Sequence, residues 1–361
     1  MEGLVSDFWR GRRVLVTGHT GFKGGWLCIW LRRLGAVVTG YALPPPTEPN
    51  LFEVARIGEV VESRNGDVRD LAALARVLSD SRAEIVFHLA AQPLVLGGYS
   101  DPVGTFDTNV MGTVNLLQAI RSAPCVRAVV NVTTDKCYEN DDGGRAFRES
   151  DPLGGVEPYG SSKACSELVT RAFGRAFFDP ASYADHRVAI ATARAGNVIG
   201  GGDWGENRLL PDIVRSFQAR RAVLIRRPTA VRPWQHVLEP LSGYLRLGRR
   251  LIETGPACGG GWNFGPAATE SRPVSWVAEQ CVRLWGGSAQ WQRDPAEYPP
   301  EAGRLQLDCS KARESLGWEP RLSLERALEM TIGWYRDAAN GADARRLCEE
   351  QIAEFGAGES A

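Results

Sequence analysis

Short apolar runs alternate with amphipathic stretches over the first half of this chain. Residues 13–17 (Arg-Val-Leu-Val-Thr) have the length and composition of a buried strand, and the same signal recurs over 35–41, 85–91, 128–134 and 188–194. Helical stretches are expected between several of them, over about 26–34, 71–78 and 110–121. Strands that are apolar throughout and separated by helices belong to a parallel sheet covered on both faces, which predicts a doubly wound α/β fold. Past Gly196 the pattern changes to loops rich in Gly, Pro and Trp, at 200–204, 232–234 and 259–262, separated by helices. We expect a large N-terminal domain over 1–195 and a smaller C-terminal lobe over 196–355 that closes over a site, some of whose segments return to the sheet. Pro44, Pro45 and Pro46 read as a stiff connector, and the residues from Gly356 onward as a frayed tail.

Composition narrows the class. With 361 residues, 43% of them hydrophobic, the chain can bury a sizeable core in one large or two coupled domains. Lys plus Arg number 42 against 43 Asp plus Glu, so no global field draws the chain to polyanions and neither a nucleic-acid nor a membrane-surface partner is expected. The apolar run Trp26–Leu31 falls far short of the roughly 20 residues of a membrane span, and Met1-Glu2-Gly3 does not open an export signal. A soluble cytoplasmic protein is the expectation. The eight cysteines contain no C-x-x-C pair and the four histidines stand apart, so reduced thiols and no metal are expected.

Glycine placement carries the first chemistry. Gly18, Gly21 and Gly24 follow the first strand and lead into a helix, the spacing in which one glycine allows the turn, the next the approach of a pyrophosphate, and the third close helix packing. The acidic residue that ends the second strand in many such units and holds the adenosine ribose would fall near 41–43, where the chain has Tyr-Ala-Leu, so local chemistry leaves NAD and NADP both open. Asp67 could face an adenine, whereas Asp70 fits the cap of the next helix better. The strand end Leu89-Ala90-Ala91-Gln92 offers small residues on which a flat ligand could lie. Tyr159 and Lys163 stand four residues apart at the start of a helix, so they share a face, and a cation one turn away is expected to lower the phenol below its usual value of about 10. Thr134, Asp135 and Lys136 bring a hydroxyl, a carboxylate and an amine to the end of another strand, where they could transfer protons in two places. Arg194 ends the strand at 188–194, and Arg208, Arg227 and Arg232 recur in the loop-rich half, where guanidinium forks would suit a diphosphate.

The glycine turn, the threonine at a strand end and Tyr-x-x-x-Lys, in this order, resemble the extended short-chain dehydrogenase/reductase family over nearly the whole chain. Residues 90–95 (Ala-Ala-Gln-Pro-Leu-Val), 134–138 (Thr-Asp-Lys-Cys-Tyr), 194–204 and 232–240 look more narrowly like its nucleotide-sugar dehydratases. Asp135-Lys136 resembles the branch acting on CDP-sugars, since relatives acting on dTDP-glucose carry glutamate where this chain has Lys136. The resemblance implies a Rossmann domain over 1–195 that binds NAD and carries the catalytic residues, and a substrate lobe over 196–355. It implies 4,6-dehydration of CDP-glucose, with Tyr159, helped by Lys163 and Thr134, deprotonating the C4 hydroxyl, Asp135 protonating the departing C6 hydroxyl, and Lys136 serving the C5 proton. The cofactor set it implies is Gly18, Thr20, Gly21, Phe22, Lys23, Gly24, Asp67, Val68, Leu89, Ala90, Ala91, Gln92, Asn109, Tyr159 and Lys163, and the substrate set is Asn197, Arg208, Arg232, Gln235 and His236. A homodimer or homotetramer is implied as well. An epimerase or dehydrogenase of the same family would need the tyrosine but no acid beside the threonine; a cofactor-binding regulator would have no use for both Tyr159 and Lys163. The chain departs from the family at Leu96-Gly97-Gly98, where an Arg and, two positions on, a Ser are usual, and at Pro300, where a His is usual.

Overall fold

Alternate residues of the predicted strands face opposite sides of a single sheet. The computed structural model describes residues 6–140, 143–267, 270–299 and 303–357. In chain order the sheet consists of β1 (Arg13–Thr17), β2 (Val37–Ala42), β3 (Glu62–Asn65), β4 (Ile85–His88), β5 (Ala128–Val132), β6 (Ala189–Ala195) and β7 (Gly260–Phe264). All seven are parallel, in the order β7-β6-β5-β4-β1-β2-β3. Val14, Val16, Ile85, Phe87, Val130 and Val132 enter one core, and Leu15, Val86 and Val129 enter the other. That is the period of two expected of strands buried on both faces.

Helices α1 (Phe22–Arg33), α2 (Leu71–Ser81), α3 (Gly112–Ile120) and α4 (Pro158–Ala176) follow β1, β3, β4 and β5 in turn. Leu74 and Leu78 of α2 and Leu116 and Leu117 of α3 cover Leu15, Val86 and Val129, while Trp26, Leu27 and Trp30 of α1 fill the opposite layer. Helix α1 starts four residues before the expected position, directly after Gly21. A wide π-type turn, Asp107–Met111, precedes α3 and ends with Gly112 packed against Val68.

Segments of the second half return to the sheet. After α5 (Leu209–Gln218) and short strand pairs that join 223–225 to 291–293 and 231–233 to 271–273, helix α6 (Leu238–Thr254) packs on β5 and β6. Gly259–Trp262, expected in a loop, mostly lies in β7 and extends the sheet beyond β6. Helices α7 (Leu324–Ala339) and α8 (Ala344–Ala357) return further, α8 packing on α1. Helix α8 runs to Ala357, so the first two residues of the expected frayed tail are helical, and residues 358–361 lie outside the described residues. Pro300-Glu301-Ala302 lies outside the described residues. Among the described residues no helix is long and apolar enough to cross a membrane.

Candidate active site

The C-terminal ends of β1, β4, β5 and β6 open on one cleft of about 760 Å³, closed on its far side by α5 and residues 224–234. This is where an open parallel sheet places ligands. Two strands stop earlier than their apolar runs suggested. β4 ends at His88, whose Nδ1 lies 2.7 Å from Thr17 Oγ1, and residues 89–94 leave the sheet to line the cleft. β5 ends at Val132; Thr133 bonds β6 through its backbone N–H and Glu167 of α4 through its hydroxyl, so Thr134 begins a turn over Asp135–Cys137.

The dinucleotide half is built by exclusion of side chains. Gly18 has φ +76°, and a Cβ there would lie 2.7 Å from the Ala90 nitrogen; one on Gly24 would lie 2.1 Å from the Gly18 carbonyl oxygen. A Cβ on Gly21 would meet only the Gly18 oxygen, at 3.4 Å, so this glycine keeps the mouth of α1 open. Gly21 is the N-cap of α1 and offers no side-chain acceptor, so the first amides of the helix remain available to an anion. A cradle of this shape with unanswered backbone donors fits a dinucleotide pyrophosphate. Past β2 the wall is Ala42, Leu43, Pro44 and Pro46, without an acidic residue, and the expected proline connector thus becomes part of the cleft. Asp67 also lines the cleft, but Arg69 donates to both of its carboxylate oxygens, and Asp70 caps α2 through the Ala73 N–H.

The reacting end gathers Thr134, Asp135, Lys136, Tyr159 and Lys163 on one wall. The side chain of Glu157 caps α4 by accepting from the N–H groups of Tyr159 (2.7 Å) and Gly160 (2.9 Å), which fixes where the tyrosine emerges. Lys163 Nζ donates to the Val132 carbonyl at 2.9 Å; burial brings this amine down to about 8, against the opposing charge of Glu167 one turn further along α4. Tyr159 differs from the expectation of a lowered phenol. Burial pushes it up to about 12, with hydrogen bonding to Thr134 only partly opposing the rise, because the lysine amine is directed to a backbone carbonyl. Burial also raises Asp135, against the charges of Lys136, Arg232 and Lys23. One carboxylate oxygen accepts from Thr134 at 3.2 Å and the other, Oδ2, is buried with no hydrogen-bond partner among the described residues. Asp135 is therefore equipped to hold a proton and present it to the cleft.

Most predicted residues meet here. Gly18, Thr20, Gly21, Phe22, Lys23, Gly24, Asp67, Val68, Leu89, Ala90, Ala91, Gln92, Asn197, Arg208 and Arg232 all line the cleft with the five above, as do Arg227 and Leu96. Three do not. Asn109 is buried behind it, accepting from the Gln92 N–H at 2.9 Å and donating to Ser162, so it positions the wall rather than forming it. Gln235 donates to the Phe264 carbonyl, and His236 is fully buried edge-on to Trp26. A tight turn in which the Trp234 N–H donates to the Arg232 carbonyl breaks the strand period, leaving Arg232 and Trp234 in the cleft and sending the next two side chains into the core. Arg208 pairs with Asp203 at 3.0 Å, a partner not anticipated. Gly97 and Gly98 lie in a short helix pressed on the start of α4, where a Cβ on Gly98 would stand 3.1 Å from the Tyr159 nitrogen.

A strand–glycine turn–helix leading to a tyrosine and lysine on one helical face is the equipment of a dinucleotide-dependent enzyme of sugars. The family model described as NAD dependent epimerase/dehydratase family matches residues 14–255, and the chain belongs to that family. It is 48% identical over 352 residues, 98% of either chain, to the CDP-glucose 4,6-dehydratase of Salmonella typhimurium. It is 29% identical, over 90% of this chain and 93% of the other, to the dTDP-glucose 4,6-dehydratase of Mycolicibacterium smegmatis. A solved structure of the dTDP-glucose 4,6-dehydratase of Streptomyces venezuelae with NAD bound superposes with a TM-score of 0.75 at 26% identity, covering 92% of this chain and 99% of that one.

Proposed function

We propose that this chain converts CDP-glucose to CDP-4-dehydro-6-deoxyglucose, with residues 1–195 carrying most of the NAD-binding and catalytic groups and residues 196–355 most of the substrate contacts. The observation that carries the reading is Asp135, a buried carboxyl with one oxygen unpartnered among the described residues, set between Thr134 and Lys136 on the wall that also holds Tyr159. Hydride exchange at C4 alone gives such an acid nothing to do. Expulsion of a C6 hydroxyl needs one.

When bound, NAD supplies a hydride acceptor and, through its positively charged ring, support for a Tyr159 phenolate. Tyr159 takes the C4 hydroxyl proton, with the Thr134 hydroxyl and the Lys163 ammonium orienting the exchange. Once C4 is a ketone, the hydrogen on C5 becomes acidic. Lys136, or a group it orients, removes that proton while Asp135 donates its own to the C6 oxygen, so that water leaves and a double bond joins C5 to C6. Return of the hydride to C6 and of a proton to C5 completes the product. Arg208 and Arg232, on the lobe side, face a substrate diphosphate, and Asn197 lines the same cleft.

We also propose a cytoplasmic homodimer or dimer of dimers. Val103 (79% exposed) and Met111 (46%) lie on segments that pack against α4, which itself carries Leu168 (42%), and together they offer apolar surface to a second copy. A solution mass of a dimer or tetramer, reduced to monomer by Val103→Asp with Met111→Asp, is expected.

Mass spectrometry of the protein incubated with NAD and, separately, CDP-, dTDP-, UDP- and GDP-linked hexoses tests the reaction. Loss of one water from CDP-glucose, absent in Tyr159→Phe, is the expected result. An isobaric product would favour an epimerase, and no change in any substrate would refute the reading.

A further inference from the structure

The mechanism leaves one acidic side chain of the cleft without a task. Arg208 is the N-cap of α5, and the groups whose charges act on it include Asp203 and Tyr159. Asp212 follows one helical turn later, its N–H donating to the Arg208 carbonyl at 3.0 Å, and it lines the same cleft. The charges that act on Asp212 are those of Arg215, Arg226 and Asp203. The path from Tyr159 through Arg208 to Asp212 thus follows the order of hexose, diphosphate and nucleoside. Around Asp212 the cleft is an apolar slot: residues 223–225 pack on α5, and Pro211, Leu224, Ile225 and Val274 line it together with Tyr298. The Tyr298 hydroxyl is taken by Asp294 Oδ2 at 2.6 Å, and the Arg226 guanidinium lies 5.3 Å from its ring centre. Arg215 Nη2 donates to Asp212 Oδ1 at 2.5 Å and is itself tied to the carbonyl of Gly205, while Arg215 Nη1 donates to that of Trp204, so the carboxylate has a fixed direction. Among the described residues no hydrogen bond reaches Oδ2.

We propose that Asp212 selects the base of the nucleotide sugar: its open carboxylate oxygen accepts from the exocyclic amine of cytosine and turns away uracil and thymine, which present a carbonyl at that position. The inference rests on the reading of the cleft as a nucleotide-sugar site and assigns the residue through which that site takes the cytidine member. A flat ring with one amine at its edge matches an apolar slot with one fixed acceptor. Against a 4-oxo ring the same acceptor meets a second acceptor, and both lose the hydrogen bonds they made to water. Discrimination of this kind needs no contact with the rest of the base, because a single group accepts from the right partner and repels the wrong one.

Calorimetric titration of the full-length protein with CDP and, separately, UDP at pH 7.5 tests this, since the two differ only at the edge of the base that Asp212 would face. The wild-type protein should bind CDP about tenfold or more tighter than UDP. Asp212→Asn offers both an acceptor and a donor, and should bring the two affinities within about twofold of each other, chiefly by tightening UDP, a gain that a damaged fold cannot produce. Asp212→Ala should also narrow the ratio, by weakening CDP more than UDP. A carboxylate that only braces Arg215 would leave the ratio of the two dissociation constants unchanged in Asp212→Asn, whatever happened to either affinity alone; that result, or equal binding of CDP and UDP by the wild type, overturns the proposal. Failure of the wild-type protein to bind either nucleotide would overturn the reading of the cleft itself.

Discussion

Replacing Glu167 by glutamine would test how firmly the catalytic turn is anchored beneath its surface. This carboxylate accepts from Thr133 Oγ1 at 2.5 Å, Thr192 Oγ1 at 2.6 Å and the Nε and Nη2 of Arg194 at 2.9 and 2.8 Å, and both charged side chains are 4% exposed. Burial by itself would push the carboxyl up. The hydrogen bonds and charge of Arg194, with Thr133 and Thr192, outweigh it and hold Glu167 below the ordinary glutamate value. Glutamine keeps the shape but leaves the guanidinium without a counter-charge and presents an NH₂ group to a donor. Removing one partner of a buried pair costs about 3–5 kcal/mol, so the free energy of unfolding should fall by that amount. Adding Arg194→Met should recover part of the loss, because no lone charge then remains buried. Urea unfolding followed by tryptophan fluorescence and circular dichroism on the wild type, both single variants and the double variant supplies the cycle. The same substitution should move the alkaline limb of the activity profile to lower pH, since the charge of Glu167 holds Lys163 up against its burial. A loss under about 1 kcal/mol in Glu167→Gln, or strict additivity of the two single changes, would refute the argument.

Gly24→Ala should weaken NAD binding by at least about tenfold while costing about 1–3 kcal/mol of stability, because its Cβ would press on the backbone of Gly18; nucleotide titration that finds affinity within twofold of wild type would contradict this. Asp135→Asn should lower dehydration by about 10²–10⁴-fold and erase the limb along which wild-type elimination falls as pH rises through the raised Asp135 value, read from the rate of water loss against pH. Glu239, whose carboxyl burial raises to about 7, keeps its proton in the folded state at pH values where the unfolded chain has released it. Stability should therefore decline by about 3 kcal/mol as pH rises from about 4.5 to 7 and level off above, and Glu239→Gln should flatten that part of the stability–pH curve.

Strands β1, β2, β4, β5 and β6 were legible because each is an apolar run buried on both faces, a signal that needs no partner to be read. β7 was not, since Gly260-Gly261-Trp262 has the composition of a loop and becomes a strand only by pairing with β6, about 70 residues earlier in the chain. The glycine turn, Thr134–Lys136 and Tyr159 with Lys163 were legible for a different reason: their chemistry depends on fixed local spacing. Gln235 and His236 show where such reasoning fails, because residue type announces polarity while a single backbone turn decides which way the side chain points. The expected lowering of the Tyr159 phenol failed in the same way; spacing put Lys163 on the correct face, but the carbonyl of Val132 took its amine. Glu167, one further turn along the same helical face, continues the Tyr159–Lys163 series and was the signal available for the buried pair. Its partner Arg194 carried no sign of being internal.

The pairing of β7 with β6 has a consequence for how the chain comes off the ribosome. When residue 195 has been made, five of the six strands so far in place can already find their neighbours on both sides or lie at the natural β3 border, but β6 presents an open edge, and β5 and β6 lack the α6 cover that arrives some fifty residues later. An uncovered parallel edge beside an apolar face is a template for association with another nascent chain. The N-terminal segment that holds nearly all the proposed catalytic groups is thus expected to associate if cut out after residue 195, because its last strand pairs with Gly260–Phe264.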